Sequence, residues 1–323
     1  MSNKAFFLFP GQGAQYPGMA IDLLESGVVR VKQLFTMASD MYGKDMAAFL
    51  ASASPEDLKP TDVCQPAITL ANLAAVACLA EKGIKPCGCA GFSLGEYAAL
   101  ASAGVITEEE CLTLVIQRGK AMQVDVDKMA AAGGATPGMA AVMGLAPEKV
   151  EELLAEWKAG NNPRIQDLHA ANFNSPKQTV VGGTSEALAE GEKLFMAAGA
   201  RRYIRLQVNC PFHTPLLAGA AELFKPHIEK ITFKDPKIPL FSNISGKQVF
   251  TGEEAKKLAI LQITNPIRWS SEEKAIEAAG GIDYLLEPGP GKVLQGLWKD
   301  TGSTLPCLAA GTVGDIEKIT TEG

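Results

Sequence analysis

The sequence predicts an α/β fold: a larger domain on a parallel sheet, interrupted by a small inserted domain of ferredoxin-like (βαββαβ) order. Three observations point there. Strand-like and helix-like runs alternate from the start of the chain. Residues 139–208 then follow a rhythm of their own, strand–helix–strand–strand–helix–strand. Between the two lies 130–138, rich in alanine, glycine and proline, which reads as a linker.

Each element has a local reason. Residues 5–9 are an unbroken apolar run, hence a buried strand, and the glycine-rich loop Pro10-Gly11-Gln12-Gly13-Ala14-Gln15 follows. Residues 67–82 form an alanine- and leucine-rich helix, ended by Gly83 and Pro86. A short apolar strand at 87–92 precedes a helix at 94–103. Residues 108–123 read as a helix whose apolar stripe is Leu112, Val115, Ile116 and Met122. In the inserted segment, strands are expected at 139–144, 168–173, 178–182 and 203–208, with helices at 147–157 and 185–198. The larger domain resumes near Asn209, with strands at 238–243 and 284–287 and a helix at 291–298. The expected domains are therefore 1–130 with 209–323, and 131–208.

Composition narrows the function. With 323 residues, 47% hydrophobic and 20% charged, the chain can bury a large core without metal or disulfide. A net charge of −6 argues against a surface made for nucleic acid or anionic membrane. Arg201, Arg202 and Arg205 cluster, which reads as a solvated strand or helix end. Seven cysteines without CxxC spacing, and three histidines far apart, point to buried free thiols in a reducing compartment and to no metal site. Cys87 and Cys89 lie two apart in a strand, so they are expected on one face. The start shows no signal-peptide pattern, and no apolar segment approaches membrane-spanning length without a charge or proline. A cytoplasmic protein is expected.

The chemistry centres on Gly91-Phe92-Ser93-Leu94-Gly95, a G-x-S-x-G motif between a strand and a helix, as in hydrolase-like α/β domains. Flanking side chains would clash in so tight a turn, hence glycine on both sides. Ser93 is then held out at a helix start, whose free N–H groups suit a developing oxyanion. The alternative is a plain helix N-cap.

A serine nucleophile needs a base, and His169, His213 and His227 are the candidates. His227 lies in a charged helical stretch and His169 in a strand of the inserted domain. His213 lies in the proline-bracketed loop Cys210-Pro211-Phe212-His213-Thr214-Pro215, where catalytic groups concentrate, and is the choice. No acid stands out as a third member, so a backbone carbonyl or an amide side chain is left to orient it. Arg118 falls roughly 60° from Val115 and 40° from Met122 on its helix, on the shoulder of the apolar stripe. It either snorkels to water or points into a cleft, where it can grip a carboxylate through two parallel hydrogen bonds.

Together these residues resemble the malonyl-CoA:acyl carrier protein transacylases and the acyltransferase domains of polyketide and fatty acid synthases. The resemblance runs from about Phe7 to Leu308. It includes Phe9-Pro10-Gly11-Gln12-Gly13, Gly91-Phe92-Ser93-Leu94-Gly95-Glu96, Gln117-Arg118-Gly119, Ala171-Asn172-Phe173-Asn174-Ser175-Pro176, Pro211-Phe212-His213, Ser242-Asn243-Ile244-Ser245-Gly246 and Asn265-Pro266. It implies Ser93 as nucleophile, His213 as base, and the N–H groups of Gln12 and Leu94 as oxyanion hole. Arg118 would bind the malonyl carboxylate, and the backbone carbonyl of Gln262 would orient the histidine. Asn172 and Asn174 would lie where the coenzyme A or carrier arm enters. Phe212 would exclude α-branched acyl groups, and Met122 completes the expected substrate site. The resemblance also implies a monomer that takes malonyl-CoA and an acyl carrier protein as partners and needs no cofactor, the thioester being a substrate. One position departs: Phe92 stands where the family usually has histidine, and its ring is not expected to share Ser93's direction. The rival readings are a serine hydrolase or thioesterase using the same pair, and a non-catalytic carrier-binding subunit. Arg118 favours transfer, because related proofreading hydrolases tend to lack that arginine.

Overall fold

The computed structural model describes residues 4–131 and 136–322. Residues 132–135 of the expected linker, and the start of the chain at 1–3, lie outside the described residues. Six strands form the larger sheet: β1 (Ala5–Phe9), β2 (Pro86–Gly91), β7 (Leu240–Ser242), β8 (Lys247–Val249), β9 (Tyr284–Glu287) and β10 (Cys307–Ala309). Their order is β10-β9-β1-β2-β7-β8, parallel throughout except for β8 against β7. The second sheet holds β3 (Gly138–Met143), β4 (Leu168–Ser175), β5 (Gln178–Gly183) and β6 (Arg202–Arg205), antiparallel in the order β4-β5-β3-β6. The helices are α1 (Ile21–Glu25), α2 (Val29–Tyr42), α3 (Met46–Ser52), α4 (Thr61–Glu81), α5 (Gly95–Ser102), α6 (Glu108–Ala131), α7 (Pro147–Ala159), α8 (Ser185–Ala197), α9 (Ala218–Glu229), α10 (Gly252–Leu261), α11 (Trp269–Ala279), α12 (Val293–Asp300) and α13 (Val313–Glu322).

A parallel sheet is stable when both faces are covered. Phe7, Phe9 and Cys89 pack into the main core with α4, α5 and α6, while Phe6, Leu8 and Ala90 meet Trp269 and Trp298 on the other side. Between these strands the register slips at Ala5/Phe6, opposite Cys87. The bulge breaks the alternation, so Cys87 packs with the Trp269 cluster and Cys89 with the main core, not on one face as expected. All seven cysteines are free.

Helix α4 starts six residues earlier than expected because burial overrides Pro66, which lies inside it. By length and composition it could cross a membrane, although it carries the expected proline, Pro66, and 83% of its apolar window is buried inside the protein. Helix α6 runs on to Ala131, with Val126 and Met129 still packed against the core. The small sheet buries Val142, Val181 and Leu168 beneath α7 and α8. Its other face, with Met139, Ala141, Ala171 and Val180, turns towards Phe212 and the larger domain. Two main-chain bonds tie β4 there: Phe173 N–H to the Ile267 carbonyl and Ile267 N–H to the Ala171 carbonyl, each 2.8 Å. Strand β6 stops three residues short of expectation, and Arg201, Arg202 and Arg205 are exposed along it.

Candidate active site

The tight turn after β2 is enforced by its glycines. A Cβ on Gly91 would overlap the Gly95 backbone, and one on Gly95 would overlap the Phe9 carbonyl. A Cβ on Gly11 would overlap the Phe92 carbonyl and lie 3.4 Å from the Leu94 nitrogen. The glycine-rich loop therefore runs against the elbow, with Gly11 beside Leu94 and Gln12 next in the chain. Asn72 on α4 fixes that loop by donating to the Pro10 carbonyl at 3.1 Å. Ser93 itself has φ 51°, in the left-handed region, and His213 has φ 60°. Such conformations persist where the surroundings over-determine them. Asn243 does this at the elbow: its Oδ1 accepts the Ser93 N–H at 2.7 Å, and its Nδ2 donates to the Gly91 carbonyl at 2.7 Å and to Glu272 at 2.8 Å.

Ser93 Oγ lies 2.7 Å from His213 Nε2, and His213 Nδ1 lies 2.7 Å from the Gln262 carbonyl oxygen. A carbonyl only accepts, so Nδ1 carries the proton and Nε2 is the acceptor for the serine hydroxyl. Burial pushes the His213 pKa down to about 3, Arg118 pushes the same way, and the Gln262 carbonyl opposes them. The imidazole is therefore neutral and able to take a proton. A carbonyl occupies the third position where a hydrolase triad has an acid. His169 sits on β4 with Lys158 Nζ 3.1 Å from its Nδ1, and His227 lies on α9; neither lines the site.

Arg118 points inward. It is 1% exposed, its guanidinium donates to Gln65 Oε1 at 2.8 Å and Gln262 Oε1 at 3.0 Å, and it lies 5.5 Å above the Tyr97 ring. Both hydrogen-bond partners are neutral, and Nε has none among the described residues. A buried cation whose hydrogen bonds go only to neutral amides can still take a carboxylate directly. It shares one cavity of about 550 Å³ with Ser93, His213, Gln12, Phe92, Met122, Phe212, Asn172 and Asn174. Met139 and Val180 of the small sheet, and 206–209 beyond β6, close the opposite wall. Of the residues expected at the site, Leu94 and Gln262 do not line this cavity. Leu94 borders it through the elbow, and Gln262 stands behind the dyad, where its Nε2 also donates to the Ser93 carbonyl at 3.0 Å.

Asn172 and Asn174 are buried, and their carboxamide oxygens have no hydrogen-bond partner among the described residues. Phe92 turns its ring edge-on to Trp269, at 5.4 Å, while Ser93 turns to His213. Sequence reasoning missed the roles of Gln65 and Asn243. A signal for Gln65 existed: Gln65, Thr69 and Asn72 share one stripe of the long apolar helix α4. Asn243 was visible only as part of a motif, with nothing local to say that it reaches Ser93.

The acyl transferase domain family matches residues 6–321 of the chain. The malonyl CoA-acyl carrier protein transacylase of Escherichia coli K12 is 37% identical over 306 residues, 94% of each chain. A malonyl-transacylase solved in complex with a type II PKS acyl-carrier protein superposes with TM-score 0.89 at 35% identity, covering 99% of this chain and 100% of that one. The malonyl CoA-acyl carrier protein transacylase of Coxiella burnetii gives TM-score 0.88 at 32% identity, covering 99% and 98%. With its serine elbow, histidine and buried arginine in one cleft, this chain belongs to the acyl transferase family.

Proposed function

We propose that this protein transfers malonyl from coenzyme A to the pantetheine thiol of an acyl carrier protein, in fatty acid or polyketide synthesis. The observation that carries this is Arg118, a buried guanidinium without a carboxylate partner at hydrogen-bond distance, in the same cavity as the Ser93–His213 pair. Malonyl-CoA has a thioester for the serine and a free carboxylate for the arginine. Ser93 Oγ attacks the thioester carbon as His213 Nε2 takes its proton. The N–H groups of Gln12 and Leu94 stabilise the oxyanion, and coenzyme A leaves as the thiol with that proton. The carrier thiol then attacks the malonyl ester by the reverse sequence. The Gln262 carbonyl keeps the imidazole in the required tautomer throughout. Asn172 and Asn174 line the path of the arm, and Phe212 and Met122 shape the acyl pocket. The reaction needs no further cofactor, and work in the reducing cytoplasm accords with seven free thiols.

The test is the intact mass of the protein after mixing with malonyl-CoA, then after adding a purified carrier protein. A malonyl adduct that moves to the carrier is expected. Rapid release of free malonate without transfer would favour a hydrolase, and no adduct at all would favour a binding role.

A further inference from the structure

Behind the dyad, on the side away from the cavity, lies a group of buried polar side chains centred on Gln262. One amide side chain holds the Ser93 carbonyl through Nε2 at 3.0 Å and Arg118 through Oε1 at 3.0 Å. The same Nε2 donates to Glu96 Oε2. Glu96, 4% exposed in the first turn of α5, is thus one amide removed from the arginine. Ser242 and the Asn243 backbone also act on its carboxyl, lowering its pKa.

The titratable groups around Glu96 are Tyr97 beside it on α5, Arg118 on α6, His213 in its loop and Glu272 on α11. Burial pushes the Tyr97 phenol up, so it stays neutral. Burial holds His213 at about 3, and raises the Glu272 carboxyl well above the carboxylate range, with Glu96 adding to that. Near neutral pH only Arg118 and Glu96 of this group therefore carry charge. Burial raises the Glu96 pKa to about 7, against the lowering by its hydrogen bonds and by Arg118.

We propose that Glu96 is the counter-charge of Arg118 before substrate binds, and takes up a proton from solvent when a malonyl carboxylate reaches that arginine. The inference rests on the reading of Arg118 as the carboxylate's partner. Two carboxylates sharing one buried guanidinium repel, and the one that is not held bidentately protonates. The sign of the linkage follows. A ligand that raises the pKa of Glu96 binds to a state holding more protons, so malonyl binds more tightly as pH falls through about 7. By reciprocity, binding draws protons in. An acyl group without a carboxylate does neither.

The experiment is calorimetric titration of Ser93→Ala, which binds without reacting, in buffers of different ionisation enthalpy at pH near 7. Malonyl-CoA is compared with acetyl-CoA. Malonyl-CoA should take up about half a proton more per site, as expected for a group half-ionised at that pH. The excess should vanish in Ser93→Ala/Glu96→Gln. Equal uptake with the two ligands overturns the proposal, as does an excess that persists in the glutamine variant. The malonyl-against-acetyl comparison stands without that second variant, should it fold poorly. Malonyl labelling of the wild-type serine, measured in parallel, separates the two levels. Labelling without excess uptake removes only the role of Glu96, whereas absence of labelling removes the transferase reading and this inference with it.

Discussion

The two walls of the cleft are built in different ways. On the larger domain's side the geometry is set by backbone: Gly11, Gly91 and Gly95 sit where no Cβ fits, and Asn243 pins the Ser93 N–H. On the small sheet's side the wall is made of side chains, Met139, Val180, Asn172 and Asn174, with Phe212 packed against the cluster of Met139 and Val180. A wall fixed by main-chain overlap holds reacting atoms in place, and a wall of side chains can change shape by single substitutions. The main-chain frame should set the rate for every acyl group, and the side chains that reach into the cavity, Arg118 among them, the choice among acyl groups.

The largest effect is expected on the first wall. Ser93→Ala and His213→Ala should each abolish malonyl labelling, with the double variant little worse than either, because the two act as one unit. Undiminished labelling of Ser93→Ala would break the comparison at its base. The pH profile sharpens it. Protonation removes the base, and the His213 pKa is pushed down from its usual value to about 3. The base form therefore persists, and the labelling rate should show no histidine limb between about pH 5 and 7, where a free histidine would give one.

On the second wall Phe212→Ser should improve use of methylmalonyl relative to malonyl. One methyl group in an apolar pocket is worth about 1–3 kcal/mol, which bounds the change in the ratio. Rates of both substrates measured side by side decide it, and an unchanged ratio puts the selective contact elsewhere. The smallest effect is expected at Phe92, which belongs to neither wall's chemistry because its ring is packed on Trp269. Phe92→His should keep malonyl transfer within about tenfold, roughly 1.4 kcal/mol in barrier. It should also raise the leak to free malonate, since the apolar ring beside the elbow helps to exclude water. A gain in transfer well beyond tenfold would mean that this site is shaped for another acyl group.

The difference between the walls also explains what could be read from the chain alone. Backbone demands leave a local signature, so the glycines, Ser93 and its strand–turn–helix context were legible. The carbonyl partner of His213 came only from resemblance, since nothing local marks Gln262. The direction of Arg118 was open, because a residue on the shoulder of a helical stripe can turn either way. Gln65 and Gln262, 53 and 144 residues away in sequence, accept its hydrogen bonds inside the protein. The bulge that separates Cys87 from Cys89 was invisible because it depends on register with β1, which a single strand does not encode. Strand β6 ended early for a similar reason: 206–209 have strand-like alternation but are taken up by the cavity wall.

The central claim is that Arg118 reads the substrate's carboxylate, and comparing two substrates tests it most directly. Loading rates of the wild type and Arg118→Ala should be measured with malonyl-CoA and with acetyl-CoA. Losing a charge-assisted pair costs about 1.5–3 kcal/mol, or roughly 10–150-fold. Malonyl loading should fall by that factor while acetyl loading is unchanged or faster. Equal slowing of both substrates would contradict the account and leave Arg118 as a structural residue.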